Sequence, residues 1–380
     1  MQITIFSVWM TVLWSSILII IFYFLRKKSI LLDVCSVSGV LILYLFCMIR
    51  LMIPIELPWT KEVSGGELYN KMYDIIRYEI PVGLGIHIYQ VLLPIWIIGA
   101  IILLTRYLLQ YFKLMRILEK LPVVESGKTV EILENIVKGN GKKPVIIKTS
   151  VLNIPCCIGV FHKKIILPDK QFTDEEMYYI LLHEYTHLKN NDVLTKMLIN
   201  IICALYWWNP IVYLLRKDIN QSIEIRCDGI VVGGENNISR SNYLAVMLAE
   251  FKDNWKTGEL TKYSKTIIPL YEEHSEKLIE RFQLVADGKN VSFSRGKVVA
   301  WLLAVCLLML SYSFIIQSKY EVPIDEIEIE SEDYRVDSNN SYIIIREGNY
   351  ILHSSGGDIV LDEEVALTMI EEGFSVKEEE

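Results

Sequence analysis

The chain has 380 residues, of which 52% are hydrophobic, and its mean hydropathy is +0.32. This composition is too apolar for an ordinary soluble enzyme and is typical of a protein with several membrane-spanning segments. The net charge of −8 is unevenly placed, because residues 318–380 carry −14 and the remainder therefore carries +6. This balance gives no support to a direct nucleic-acid partner.

Four apolar runs are each long enough to cross a bilayer core of ~30 Å, which takes ~20 helical residues. We predict transmembrane helices at residues 3–25, 30–55, 89–112 and 297–317. The first run has no basic residue before it and is longer than the apolar core of a signal peptide. We therefore expect it to remain as a membrane anchor. The lipid bilayer is the first predicted partner of this chain.

Basic residues predict the orientation of these helices in the cell membrane. Arg26, Lys27 and Lys28 follow the first run directly, which places them in the cytoplasm by the positive-inside rule. Alternation then predicts that the N-terminus, the loop 56–88 and the acidic tail 318–380 are outside. The segment 113–296 is predicted to be a cytoplasmic domain, following the three-helix membrane region 1–112.

Two charged residues lie within the second run and are costly in lipid. Asp33 and Arg50 either form a functional pair or lie near opposite helix ends, where they reach the interface or face neighbouring helices. The second interpretation is favoured.

Short β-type runs precede a helix-forming stretch in the cytoplasmic segment. The runs are PVIIKTS, CCIGV and KKIILP, and the helix begins in TDEEMYYILL. An edge strand beside such a helix can pair with an extended peptide substrate by strand addition. Gly159 either permits close backbone approach or makes a simple bend.

The segment LLHEYTHLKNND carries His183, Glu184 and His187 in the spacing HExxH. Residues four apart lie on one face of a helix, so the two imidazoles can bind one metal ion. Glu184, next to the first histidine, can then act as the general base on the attacking water. The pattern predicts the active site of a zinc protease.

A catalytic zinc site needs a third protein ligand, and the candidate is Glu224 in EIRCD. Asp228 lies one turn later on the same helical face, where it can accept the free N–H of a ligand histidine. Glu235 and Glu250 are within reach along the chain but lack a paired aspartate. Asp192 is expected to be a supporting carboxylate and not a ligand.

The seven cysteines do not predict a disulfide framework, because none falls in a predicted outer segment. Cys227 lies beside the site in sequence. It points about 100° away from Asp228 around the helix, so we expect a buried structural thiol there.

The stretch from Val193 to Leu215 is apolar enough to span a membrane, but a span would put His187 and Glu224 in opposite compartments. One metal ion could not then bind both. Asn209 and Pro210 favour a chain that breaks and turns back. We predict a helical hairpin partly sunk in the inner membrane face, with Trp207 and Trp208 near the interface.

With these motifs, the chain resembles the BlaR and MecR family of membrane metalloproteases that transduce antibiotic signals. The resemblance covers roughly residues 1–317. It lies in the four-helix topology, the pattern from Pro155 through Gly159 to Pro168, HEYTH with Asp192, the WWNP segment, and EIRCD.

The resemblance implies an α+β membrane protein with four transmembrane helices, a gluzincin-like cytoplasmic metalloprotease domain at 113–296 and a small β-rich extracellular tail. By this resemblance His183, His187 and Glu224 are the zinc ligands, and Glu184 is the catalytic base. In the family, an external signal activates the protease, which cleaves itself and removes a cytoplasmic winged-helix transcriptional repressor of resistance genes.

The tail departs from the best-known members, which end in a large penicillin-binding sensor with an SxxK motif. The sole SxxK here, Ser294 to Lys297, lies on the predicted inner side, so we expect no covalent β-lactam sensing by this chain. The tail contains three predicted strand regions: EIEIE, YIIIREGNYIL with a turn at Gly348, and DIVLDEEVAL after Gly356 and Gly357. It either binds an external peptide, cation or partner sensor, or serves as an acidic spacer.

Three functional classes compete. The first is a signal-transducing zinc protease that cleaves a cytoplasmic regulator, and the exported tail favours it. The second is a constitutive membrane zinc protease of the quality-control or prenyl-peptide-processing type. The third is a non-catalytic receptor, which the presence of all four key residues disfavours. An intramembrane protease is also disfavoured, because the charges flanking HExxH are costly in lipid.

Overall fold

The computed structural model describes the following residues, which make up most of the chain. They are 5–55, 57–80, 85–137, 143–150, 152, 154–233, 237–257, 275–287, 294–317, 341–346, 349–354, 357–371 and 373–378. The protein is mostly helical with three small sheets, and it divides into two compact units, 1–318 and 319–380.

Three helices in the described residues are long and apolar enough to cross a membrane. They are α1 (Ile5–Lys27), α2 (Ile30–Met52) and α4 (Ile88–Glu119), the last of which continues seven residues past the predicted end at 112. The helix predicted at 297–317 is shorter than expected over its apolar part, Val298–Ser313. It is α11 (Ser294–Ser313), and the chain then becomes strand β5 (Phe314–Gln317). The fourth span therefore stays a prediction.

The predicted outer loop 56–88 has secondary structure of its own. Strand β1 (Lys61–Ser64) precedes an amphipathic helix, α3 (Gly66–Arg77). β1 pairs with β5 in parallel, with Lys61 opposite Phe314 and Ser64 opposite Gln317. The loop after α2 is thus joined by backbone hydrogen bonds to the residues that follow α11.

The apolar stretch after the HExxH helix forms the predicted hairpin, with α7 (Asp192–Leu205) and α8 (Pro210–Val231) as its arms. The side chain of Asn209 accepts a hydrogen bond from the Ile211 N–H at 3.0 Å, and Pro210 occupies the first helical turn. An Asn cap followed by Pro ends one helix and starts the next, because Pro has no N–H to satisfy there.

The hairpin is inserted among the long helices, and the two arms share a buried core with α1, α2 and α11. At its tip, the Tyr206 hydroxyl donates a hydrogen bond of 2.5 Å to the carbonyl of Leu51, in the last turn of α2. Trp207 also packs closely on Gly99 of α4. The tip therefore lies beside the C-terminal end of α2. Arg26 lies at the other end of the helix bundle, so the hairpin reaches farther along the bundle than the partly sunk hairpin predicted from sequence.

Arg50 is buried between three of these helices. Its guanidinium donates hydrogen bonds to the hydroxyls of Thr11 and Ser311, and it lies 4.0 Å from the centre of the Tyr312 ring. Asp33 is exposed near the other end of α2. The arrangement agrees with the favoured interpretation, in which Arg50 faces neighbouring helices.

A three-stranded sheet supports the HExxH helix. It comprises β2 (Val145–Thr149), β3 (Cys156–Ile158) and β4 (Lys164–Pro168), in the order β2-β4-β3, with β2 parallel and β3 antiparallel to β4. α5 (Lys128–Val137), α6 (Asp174–Lys189), α9 (Asn237–Thr257) and α10 (Ser275–Ala286) pack with this sheet around a second buried core.

Gly159 ends β3 with φ +92°, and a Cβ at this position would lie 2.1 Å from the carbonyl oxygen of His162. The left-handed backbone and the lack of space both require glycine. Gly159 therefore makes the bend between β3 and β4 and permits the close approach of the His162 backbone.

The second unit contains a four-stranded sheet in the order β8-β7-β6-β9. Its elements are β6 (Tyr342–Arg346), β7 (Asn349–Ser354), β8 (Gly357–Leu361), helix α12 (Glu363–Glu371) and β9 (Ser375–Glu378). The predicted strand DIVLDEEVAL is wrong in its second half, because β8 stops at Leu361 and α12 follows. Acidic residues in the first turn favour that helix through its dipole. EIEIE, Gly348 and Gly356 lie outside the described residues.

Candidate metal centre

The helix that carries HExxH begins at a well-formed cap. The hydroxyl of Thr173 accepts a hydrogen bond of 3.2 Å from the Glu176 N–H, and the Glu176 carboxylate accepts one of 2.8 Å from the Thr173 N–H. This capping box and three acidic residues in the first turn fix where α6 starts. His183 and His187 consequently lie one turn apart on the same face.

Three donor groups converge at the base of the hairpin. The Nε2 atoms of His183 and His187 are 3.1 Å apart, and the Glu224 carboxylate lies 3.5 Å from the first and 3.6 Å from the second. Ligands about 2.0–2.1 Å from a tetrahedral zinc ion stand about 3.3 Å apart. The spacing and the His2Glu donor set fit such an ion. Glu184 is not part of this cluster.

The electrostatics of the cluster favour a cation. Burial alone would lower the pKa of His183, but hydrogen bonding and charge from Asp228 and Glu224 outweigh it and raise the pKa to about 10. The pKa of Glu224 lies well below its usual range, since the charges of Lys196 and His187 outweigh the effect of burial. The carboxylates of Glu224 and Asp228 therefore favour a positive charge between the two imidazoles.

The second nitrogen of His187 is held by Asp192, the first residue of α7. The Nδ1–H donates to the Asp192 carboxylate at 2.8 Å, and Arg226 donates to the other carboxylate oxygen. Although burial would raise the pKa of Asp192, the hydrogen bond to His187 and the charge of Arg226 hold it below its usual value. This contact leaves Nε2 of His187 facing the cluster, which is the supporting role expected of Asp192.

Cys227 lies against the same pair, with its sulfur 3.2 Å from His187 Nδ1 and 3.3 Å from an Asp192 oxygen. His187, Asp192 and Cys227 thus form a second group with metal-ligand spacing. Burial and the nearby carboxylates raise the pKa of the Cys227 thiol well above its ordinary value. The first group differs from the second in uniting both imidazoles of HExxH, whereas the second uses the Nδ1 atom of His187 that Asp192 already engages.

The second nitrogen of His183 is held through a relay. Its Nδ1 lies 2.9 Å from the hydroxyl of Tyr243, which donates at 2.6 Å to the Asp228 carboxylate. Asp228 itself is 3.4 Å from Nδ1. The expected direct bond from histidine to Asp228 is thus replaced by one through Tyr243. Asp228 also accepts two hydrogen bonds from Arg281, at 2.7 and 2.9 Å.

Glu184 is buried, and its helix α6 packs against β3. Burial raises the pKa of the Cys157 thiol on β3 well above its usual value, and the charge of Glu184 and a hydrogen bond to it add to the shift. Within the described residues, no strand pairs with the outer edge of β3. Glu184 therefore lies close to β3, the edge strand of this sheet.

The structure brings together five of the six residues singled out from sequence, places Glu184 toward β3, and adds four residues that sequence reasoning missed. Lys196 approaches Glu224 to 3.2 Å, while Arg226, Tyr243 and Arg281 hold the carboxylates. Lys196 lies one turn after Asp192 on α7, a spacing that could have indicated it. Tyr243 and Arg281 lie on α9 and α10, without a local motif. The alternative ligands Glu235 and Glu250 are outside the described side chains.

A bundle of apolar helices that carries an HExxH helix and a converging glutamate defines the class of membrane metallopeptidases. Residues 77–282 match the family described as BlaR1 peptidase M56. The chain belongs to this family.

Curated relatives agree with this membership. The chain is 28% identical over 142 residues to the regulatory protein BlaR1 of Bacillus licheniformis, covering 36% of this chain and 24% of the relative. It is 30% identical over 155 residues to BlaR1 of Staphylococcus aureus, with 39% and 26% covered. The methicillin resistance mecR1 protein of S. aureus is 25% identical over 145 residues, with 37% and 24% covered. The matched stretch spans about a quarter of the length of these relatives.

Proposed function

We propose that this chain is a zinc endopeptidase of the cell membrane that transduces an external signal by cleaving a cytoplasmic regulator. One observation carries the proposal. The donor atoms of His183, His187 and Glu224 converge at ligand spacing, and Glu184, the residue after His183, contacts Cys157 on the edge strand β3. We thus assign metal binding, activation of the attacking water and alignment of the substrate to neighbouring parts of the molecule.

A zinc ion held by the three ligands would act as a Lewis acid on the scissile carbonyl and on the attacking water. The chain supplies the proton transfers. Glu184 takes a proton from the water as it attacks and passes it to the leaving amine as the peptide bond breaks. Asp192 and Tyr243 engage the Nδ1 atoms of the two histidines, which leaves both Nε2 atoms facing each other and Glu224, where they would hold the ion.

The substrate is proposed to bind as an extended strand along the outer edge of β3. Main-chain hydrogen bonds to β3 would align the peptide beside Glu184 without demanding a particular sequence. Cleavage would then require a segment of the regulator that is locally unfolded or extended. This favours a flexible linker over a packed helix as the cleavage site.

Basic residues support a cytoplasmic position for the protease segment. Arg26 to Lys28 follow α1, and by the positive-inside rule this end of the bundle faces the cytoplasm. The segment 113–296 and the metal centre are then inside, whereas the tail 318–380 is outside. The pairing of β1 with β5 would join the outer loop to the strand that precedes the tail in the chain. A ligand or sensor partner bound there could act on both.

The proposed substrate is a transcriptional repressor of the winged-helix type, and self-cleavage is a second expected event. The names of two relatives support the regulatory assignment, since one is a regulatory protein and the other a methicillin resistance protein. An HExxH centre tied to membrane helices is suited to release a soluble regulator on command. A constitutive protease would need no such signal.

The test compares full-length wild-type protein in membranes with Glu184→Gln. Processing of the chain itself and of a co-expressed candidate repressor is followed by immunoblot, and zinc content is measured on both proteins. We expect cleavage by the wild type alone and equal zinc in the two, because Glu184 is a base and not a ligand. Zinc lost in Glu184→Gln would contradict this assignment, and cleavage that persists in it would contradict the mechanism.

A further inference from the structure

Helix α10 brings a guanidinium into the metal centre from a distant part of the sequence. Arg281 donates two hydrogen bonds to the Asp228 carboxylate, at 2.7 and 2.9 Å, and its third nitrogen lies 3.6 Å from Glu224. Such a forked contact fixes both distance and orientation, because the guanidinium is planar and rigid. The Arg281 side chain is 14% exposed and that of Asp228 is 1% exposed. The pair is therefore shielded from water.

The residue before Arg281 connects the same helix to a membrane helix. The Glu280 carboxylate accepts a hydrogen bond of 2.7 Å from Arg26, in the last turn of α1, and one of 3.0 Å from Gln221 on α8. Arg26 also donates to Asp218 at 2.6 Å. Both Arg26 and Asp218 are buried, so their charges depend on these partners.

The contacts of α10 follow one face of α8. Asp218, Gln221, Glu224 and Asp228 are three or four residues apart, which places them along a single stripe. Glu280 meets the first part of this stripe through Gln221 and Arg26, and Arg281 meets the part that contains the metal ligand. Two adjacent residues of α10 therefore touch the end of α1 and the metal centre at once.

We propose that Arg281 is a positioning residue for the metal centre and that Glu280 ties its placement to α1. This inference rests on the proposed function, since it concerns the geometry of the proposed zinc ligands. A shift of α1 relative to α8 would move Glu280 through its contact with Arg26. The shift would therefore also move Arg281, the next residue on α10. Asp228, the Tyr243 relay and His183 would then lose their fixed arrangement. The geometry of the metal centre would in this way depend on the position of α1.

Zinc affinity tests the proposal without a substrate. Full-length protein is stripped of metal in detergent and titrated with zinc against a fluorescent chelator, with thermal unfolding measured in parallel. The variants are Arg281→Gln, Arg281→Lys, Glu280→Ala and the double variant Glu280→Ala/Arg281→Gln. Gln283→Ala is the matched control, because Gln283 is exposed on the same helix.

We expect Arg281→Gln to weaken zinc binding about 10- to 100-fold, the usual loss when a group that supports a ligand is removed. Arg281→Lys should restore part of the affinity, since an ammonium keeps the charge but not the fork. Glu280→Ala should weaken binding by about fivefold, roughly one net hydrogen bond. It should add nothing in the Arg281→Gln background, because its effect passes through Arg281.

Three results would overturn the inference while the wild type still binds zinc. They are wild-type affinity in Arg281→Gln, a Glu280→Ala protein that behaves as Gln283→Ala, and losses that add independently in the double variant. If Arg281→Gln does not fold, the zinc affinities of Arg281→Lys and Glu280→Ala are compared with those of the wild type and Gln283→Ala instead. A wild-type protein that binds no zinc would instead contradict the proposed function itself.

Discussion

Asp192→Asn is the substitution that best tests whether Asp192 supports a ligand histidine or binds the metal itself. Asp192 accepts hydrogen bonds from His187 on one oxygen and from Arg226 on the other. An asparagine can keep only one of these contacts. If its oxygen faces His187, its NH2 faces the Arg226 guanidinium, donor against donor, and the reverse orientation loses the histidine.

The expected loss follows from this geometry. Removing a partner of a ligand histidine typically weakens metal binding about 10- to 100-fold, which is about 1.4 to 2.7 kcal/mol. Folding should lose about 1–3 kcal/mol, the cost of a missing hydrogen bond to a buried group. It should lose less than a fully buried ion pair would, because the Arg226 side chain is 19% exposed.

The assay is zinc titration against a chelator, with thermal unfolding in the same detergent. Asp174→Asn is the control, since Asp174 forms an exposed ion pair with Lys128 that should contribute at most about 1 kcal/mol. Zinc should remain bound to Asp192→Asn at one ion per chain when zinc is in excess. An affinity within twofold of the wild type would refute the supporting role of Asp192.

Three further outcomes are expected. Zinc should raise the melting temperature more at pH 9 than at pH 6.5, because the folded pKa of His183, about 10, exceeds its unfolded value of about 6.5. The metal-free fold therefore loses stability as pH rises through this window, whereas the zinc-bound histidine carries no such proton. The same zinc-induced rise in melting temperature at both pH values would count against this prediction. Cys227→Ala should keep one zinc per chain by elemental analysis, and loss of the metal would implicate the thiol. Asn209→Ala should cost about 1 kcal/mol in thermal unfolding through the missing cap, and an unchanged melting temperature would show that the cap does not matter.

The core of the candidate site could be predicted because its chemistry is local. His183, Glu184 and His187 share one helical turn, and Glu224 with Asp228 repeats the same spacing on a second helix. The break at Asn209 and Pro210 followed from backbone chemistry and from the need to keep both helices beside one ion. These inferences use spacing along one element, which sequence displays directly.

Residues that reach the site by tertiary packing could not be found in this way. Tyr243 and Arg281 arrive from α9 and α10, and the position of each helix depends on the buried core shared with α6 and the sheet. The depth of the hairpin depends on contacts such as Tyr206 with Leu51, which no local pattern encodes. In the second unit, an apolar alternation was continued past Leu361, although the acidic residues after it favour the start of a helix.

The most direct test of the account is the zinc X-ray absorption spectrum of purified full-length protein. Ligation by His183, His187 and Glu224 predicts only nitrogen and oxygen neighbours, at about 2.0–2.2 Å, with the outer-shell pattern of two imidazoles. A sulfur neighbour at about 2.3 Å would instead place the ion with Cys227. That result, or a wild-type protein without zinc, would contradict the proposed metal centre.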